Sequence, residues 1–199
     1  MTSETTLDGA PPLRADDAPR SLWRSVGTLR GLVTFLIAMN GLYLLFVAFG
    51  NITDFPANQA FVQHVLAMDT TNFGAPAGTG LDPRVMWRAI TSPGLQNAAY
   101  VGLIAWETLA GLVLAAAVLC RLRGSDPQRA QWLATAGLLM MLALFFGGFI
   151  VVGGEWFQMW RSTAWNGLDP AFRNTVIALA TAALVHLDGR STAAPQTEG

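Results

Sequence analysis

The chain has 199 residues, a net charge of −1, 52% hydrophobic and 13% charged residues, against roughly 25% charge in ordinary soluble domains. Such a balance argues against a nucleic-acid binder, which would show a basic patch or stripe, and the length suits one domain. The single cysteine, Cys120, excludes an internal disulfide framework and any CxxC redox or metal motif.

Residues 1–20 are polar, contain proline and lack an apolar period, so they are expected to be disordered. Residues 21–30 bring Trp23, Arg24 and Arg30, an interfacial anchor ahead of a bilayer. The first apolar span covers residues 31–50, with Asn40 and Tyr43 near its centre. Its end, Ala48-Phe49-Gly50, loosely resembles a cleavage site. The run is nevertheless longer than the roughly 7–15 residues of a signal core and follows a polar arm, so an uncleaved span is expected.

The second span, residues 94–120, is long enough to cross the roughly 30 Å hydrocarbon core and carries one charge, Glu107, near its midpoint. The third covers residues 130–152. The fourth, residues 171–187, reaches sufficient length only if Arg173 snorkels to the surface. Residues 188–199 form a second polar, disordered tail. The expected fold is all-α: residues 21–187 make a four-helix transmembrane bundle with short interfacial helices on the outer face.

All twelve basic residues are arginine. Arg14, Arg20, Arg24, Arg30, Arg121, Arg123, Arg129 and Arg190 fall on one side of the spans, and Arg84, Arg88, Arg161 and Arg173 on the other. The positive-inside rule then makes the chain a multi-pass protein with both termini in the cytoplasm.

The outward segments are the more textured connections. Residues 60–69 form an amphipathic helix, with Phe61, Val65 and Met68 on one face. Residues 70–80 are a Gly-rich loop without the order of a phosphate loop. Trp156, Phe157, Trp160 and Trp165 crowd the second outward segment as an aromatic belt. Leu-Asp-Pro occurs at residues 81–83 and 168–170, each time ahead of an inward-going span. That pattern reads as a helix start with Asp capping and Pro at the first position, and as a hint of a duplicated hairpin.

Glu107 is the sharpest chemical signal. An acidic residue at mid-span costs about 2.5–3.5 kcal/mol on the insertion scale, so it asks for a partner or a proton. Asn40 lies at a similar depth, and with Tyr43 and Thr108 it makes an expected intramembrane polar cluster around Glu107. The cluster reads either as a clasp between two helices or as a proton-carrying or substrate-binding carboxylate. No catalytic set, metal site or cofactor is expected; His64 and His186 are separated by roughly the bilayer thickness, too far for a shared haem iron. Outer-face interaction candidates are His64, Gln63, Trp87, Arg88, Glu155, Trp156, Gln158, Trp160 and Asn166. Glu155 is expected to pair with Arg161 or Arg88.

The strings VAFGNITDF, FVQHVLAMDTT, WRAITSP, IAWE and GGEWFQMW…WNGLDPAFR together resemble a bacterial family of predicted small integral membrane proteins, domain of unknown function 2165, over residues 31–187. The resemblance implies four spans in a bacterial inner membrane and supplies no activity, cofactor or catalytic residue. The Gly-rich insert after Phe73 is longer than the family pattern leads one to expect. The leading expectation is a non-enzymatic accessory or interaction subunit, with the lipid bilayer and another membrane protein or a second copy as partners. The alternatives are a small transporter or proton-coupled carrier using Glu107, and a quinone-binding redox subunit.

Overall fold

A computed structural model describes residues 27–193. The expected N-terminal tail and the anchor residues Trp23 and Arg24 lie outside them. Helix α1 spans Leu29–Thr53, α2 Phe55–Ala67, α3 Pro93–Leu122, α4 Pro127–Leu142 with a continuation to Trp156, and α5 Leu168–Ala193. Four of these helices are long and apolar enough to cross a membrane. Among the described residues there are no strands.

The helix ends follow local chemistry. Thr28 caps α1 by accepting from the Gly31 N–H at 3.1 Å. Asp126 caps α4 by accepting from the Gln128 N–H at 3.0 Å, with Pro127 in the first turn. Between α3 and α4, Gly124 takes φ +65°, a backbone shape that glycine adopts without the Cβ clash. It lets the chain reverse within four residues. α5 starts at Leu168, ahead of the expected 171, and continues past Leu187 to Ala193, so the start of the expected C-terminal tail is helical.

The helices pack in the order α1–α3–α4–α5, closing through α5 against α1. Short and long connections alternate, so each neighbouring pair runs antiparallel. One end carries Arg30, Arg121 and Asp188: the Arg30 side chain donates to the Arg121 backbone carbonyl, and the Arg121 side chain to that of Asp188; it is called the arginine end below. The opposite, looped end carries α2 and the two long connections.

Size, more than polarity, separates inside from outside. Ala110, Ala117, Ala130, Ala134, Ala171 and Ala178 are buried, while Phe35, Phe46, Phe49, Leu109, Leu112 and Leu179 are exposed. Hydrocarbon solvates a leucine as well as a protein core does, so close helix approach through small residues decides the contact face. A Cβ on Gly137 would come within 2.6 Å of Leu114, and one on Gly111 within 2.8 Å of Leu45. Ile37, Leu44, Leu114, Leu138 and Met141 fill what remains.

The third span is not α-helical throughout. From Ala143 to Trp156 it is a π-helix, with i→i+5 pairing that is ordinarily confined to single turns. Trp106 of α3 donates its indole N–H to the Met140 carbonyl at 2.9 Å, just before the change. Within the π-helix, Gly153 and Gly154 leave room for Met159 and Leu168 to approach closely.

The two Leu-Asp-Pro strings have different roles, contrary to the sequence reading. Leu81-Asp82-Pro83 lies in a loop, and α3 starts later, at Pro93 behind Ser92. Leu168-Asp169-Pro170 lies inside the first turn of α5, where Asp169 pairs with Arg173 and Asn166 accepts from the Leu168 N–H at 3.1 Å. Short 3-10 turns over Met86–Arg88 and Met159–Arg161 share the sequence Met-Trp-Arg. The first follows its Leu-Asp-Pro and the second precedes it, so a simple tandem duplication does not align both strings.

Candidate functional site

Along α3, Gln96, Tyr100, Ile104, Glu107, Ala110, Gly111, Leu114 and Ala117 make one buried stripe. Glu107 is only 5% exposed, and Asn51 Nδ2 donates to its Oε2 at 3.0 Å. Asn58 Nδ2 of α2 donates in turn to Asn51 Oδ1 at 2.8 Å. A three-residue chain thus leads from α2 across the end of α1 to the middle of α3. Its geometry follows from helix direction. Side chains lean towards the N-terminus of their own helix, so on antiparallel helices Glu107 reaches towards the looped end and Asn51 towards the arginine end, and they meet.

The expected cluster around Glu107 is therefore not the one that forms. Asn40 donates to the Leu36 carbonyl at 2.8 Å and to Thr181 Oγ1 at 3.2 Å, which ties α1 to α5. Tyr43 faces outward, 40% exposed, and its hydroxyl accepts from Asn174 Nδ2 at 2.9 Å. Thr108 folds back onto the Ile104 carbonyl. The missed partner, Asn51, sits at the edge of the expected first span, where counting from the ends assigns it to the interface. One further group on the stripe stands out: the Tyr100 hydroxyl is buried without a hydrogen-bond partner, its ring against Phe55 at 4.6 Å.

A second polar lock closes the arginine end. Arg121 pairs with Asp188 at 2.6 Å, both side chains being about one-tenth exposed. It also donates to Thr34 Oγ1 at 2.8 Å and to the Arg30 carbonyl at 3.2 Å. One guanidinium thus holds α1, α3 and α5 together. Asp188 fell in the residues expected to be a polar tail, which hid this pair from sequence reading. His186 lies at the same end, within 3.2 Å of Gln131 and 3.4 Å of Thr135.

The looped end is built around the two Met-Trp-Arg turns. Arg88 lies between Trp87 and Trp156, 5.5 and 5.3 Å from their ring centres. Arg161 lies over Phe73 at 5.1 Å and Trp160 at 5.9 Å, accepts the Phe73 N–H on its backbone carbonyl at 2.9 Å, and donates from its side chain to Gln158 Oε1 at 2.8 Å. Its nearest carboxylate is Asp82, at 3.9 Å. The hydrogen bonds that Arg84 gives to Asp82, from its side chain and its backbone N–H, hold the Asp82 carboxyl below the usual carboxylate range. Among the described residues Glu155 forms no ion pair with Arg161 or Arg88, contrary to expectation; Arg161 turns to Asp82 instead.

The other outer candidates mostly support this surface. His64 Nδ1 lies 2.9 Å from both oxygens of Asp69, and its ring stacks on Trp165 at 4.7 Å. The Gln63 carbonyl accepts from Gln96 at 3.4 Å. Gln158 starts the second 3-10 turn in a left-handed conformation, φ +51°. Trp87, Arg88 and Trp156 are brought together, and so are Gln158 and Trp160 through Arg161, whereas Gln63 and Asn166 act in separate local bonds. Among the described residues no three His, Cys, Asp or Glu side chains gather where they could hold a metal ion.

Comparison with known proteins identifies a family. A family model described as "Predicted small integral membrane protein (DUF2165)" matches residues 29–188, from the start of α1 to the Asp188 lock. No curated protein and no solved structure matches the chain.

Proposed function

The chain belongs to the family of predicted small integral membrane proteins, and on that premise we propose that it serves as a non-enzymatic accessory subunit, docking another membrane protein at its looped end. The observation that carries this reading is the Phe73–Arg161–Trp160 cluster. Phe73 is 63% and Trp160 48% exposed, yet both are fixed in place by Arg161, which is itself tied to Gln158 and Asp82. Aromatic and arginine anchors that are ordered and still accessible are the groups that dominate binding energy at interfaces. The interior supports the same reading, because Glu107 is held by a neighbouring amide, as in a helix clasp.

In this proposal the protein lies in a bacterial inner membrane, with the arginine end in the cytoplasm as the arginine distribution favours and the looped end outside. A photo-cross-linking residue at position 73 or 160, activated in the host membrane, should give one discrete protein adduct. Exclusive labelling of lipid would refute the docking reading.

One observation favours a second reading, a proton-coupled carrier. Glu107 takes a single hydrogen bond, on Oε2, which leaves its other oxygen available. Glu107→Gln would then abolish proton-dependent uptake without changing folded yield; in the clasp reading it changes only thermal stability.

A further inference from the structure

Where the third span ends, an open groove of about 540 Å³ runs along Val151, Val152, Glu155, Trp156 and Phe157. Its walls are mostly apolar, and Val151 and Val152 are nearly half exposed. Trp156 lines this groove, and its ring also carries the Arg88 guanidinium, 5.3 Å from the ring centre. A guanidinium carries five N–H donors. Arg88 engages one of them, with the Trp156 carbonyl at 3.4 Å, and its Nε is buried without a hydrogen-bond partner. Arg88 forms no ion pair among the described residues, and neither does Glu155, the chain neighbour of Trp156.

A cation held between two tryptophans and a carboxylate lining an apolar groove are thus joined through Trp156 at a span end, and neither forms an ion pair among the described residues. Tryptophan-rich span ends sit at the level of lipid headgroups, where phosphate is the abundant anion. Arginine suits phosphate through its planar fork of donors. A headgroup that is anionic overall would meet repulsion from Glu155, whereas one ending in a primary ammonium would satisfy it.

We propose that this groove binds one glycerophospholipid with a primary-amine headgroup. Arg88 takes the phosphate, Glu155 the ammonium, and Val151, Val152 and Phe157 the start of an acyl chain. The site goes beyond the docking role proposed above and uses different residues, so either can fail alone.

Native mass spectrometry of the purified full chain tests it. The protein is offered equal amounts of phosphatidylethanolamine and phosphatidylglycerol with identical acyl chains. The wild type should retain one phosphatidylethanolamine in preference to phosphatidylglycerol. Arg88→Gln should reduce retention by roughly tenfold, the scale of one charge-assisted contact. Glu155→Gln should still bind lipid but lose the preference between headgroups. Arg84→Gln, which removes an exposed arginine of the same looped end, should change nothing. Equal retention by Arg88→Gln, no headgroup preference in the wild type, or a Glu155→Gln variant that keeps the preference would each overturn the proposal. So would competition by free phosphoethanolamine as strong as that of the lipid, since the groove would then contribute nothing.

Discussion

Replacing Asn51 by leucine tests the arrangement around Glu107 most directly. Asn51 is the middle of the chain from Asn58 to Glu107, so Asn51→Leu removes two hydrogen bonds, whereas Asn58→Leu removes only one. Interhelical hydrogen bonds in membranes contribute on average about 0.6 kcal/mol and at most about 1.7. Asn51→Leu should therefore destabilise by roughly 1–3 kcal/mol, and Asn58→Leu by about half as much. Glu107→Gln keeps an oxygen for Asn51 and should fall below Asn51→Leu. Reversible unfolding in mixed micelles gives these differences, and the decisive quantity is the coupling. Asn51→Leu combined with Glu107→Leu should be less damaging than the sum of the two, because neither partner of the Asn51–Glu107 bond is then left unpaired and only the Asn58 amide loses its acceptor. Asn40→Leu combined with Glu107→Leu should add within about 0.5 kcal/mol, since Asn40 bonds to Thr181 and Leu36 and shares no partner with Glu107. Strong coupling of Glu107 to Asn40 and none to Asn51 would refute the reasoning.

Gly137→Ala would place a Cβ 2.6 Å from Leu114 and should lower stability by about 1–3 kcal/mol through overpacking, whereas Gly102→Ala meets open space and should not; thermal melts in detergent separate them. Asp188→Asn removes the charge partner of a guanidinium that is about one-tenth exposed. It should destabilise by about 2–3 kcal/mol, less than the roughly 3–5 of a deeply buried pair because it lies at a span end. An unchanged midpoint would rule the lock out. Asp82 has a folded-state value below its unfolded one, chiefly through Arg84. Its contribution should be complete above the unfolded value of about 3.9 and lost as pH falls through the lower folded one. The difference in tryptophan fluorescence between the wild type and Asp82→Asn should accordingly stay constant from pH 8 to pH 5 and change only at lower pH; a difference that changes between pH 8 and pH 5 would refute this assignment.

The four spans were legible because length and apolarity are written along the chain, and a bilayer demands little else of a helix. Boundaries missed by a few residues where polar residues continue a helix beyond the apolar run, as in Leu168-Asp169-Pro170 and after Leu187. Glu107 was recognisable as an isolated buried acid, and the outward tryptophans and arginines as crowded together along the chain. Their partners were not. Counting residues from the span ends gives a depth for the backbone, but a long side chain meets its partner well above or below its own Cα, in a direction set by which way each helix runs. Asn40 matched Glu107 in counted depth and yet faces α5.

Taken alone, the sequence determined that this is an integral membrane protein with four apolar helices, because burying that much hydrocarbon surface has no other economical solution for a chain with so few charges. Only the tertiary structure decided which polar groups meet: Glu107 with Asn51, Arg121 with Asp188, and Arg88 between two tryptophans. It also decided that the third span ends as a π-helix. Those choices depend on helix rotation and side-chain lean, which are fixed by how small residues let neighbouring helices approach, and no spacing along a single helix records that contact.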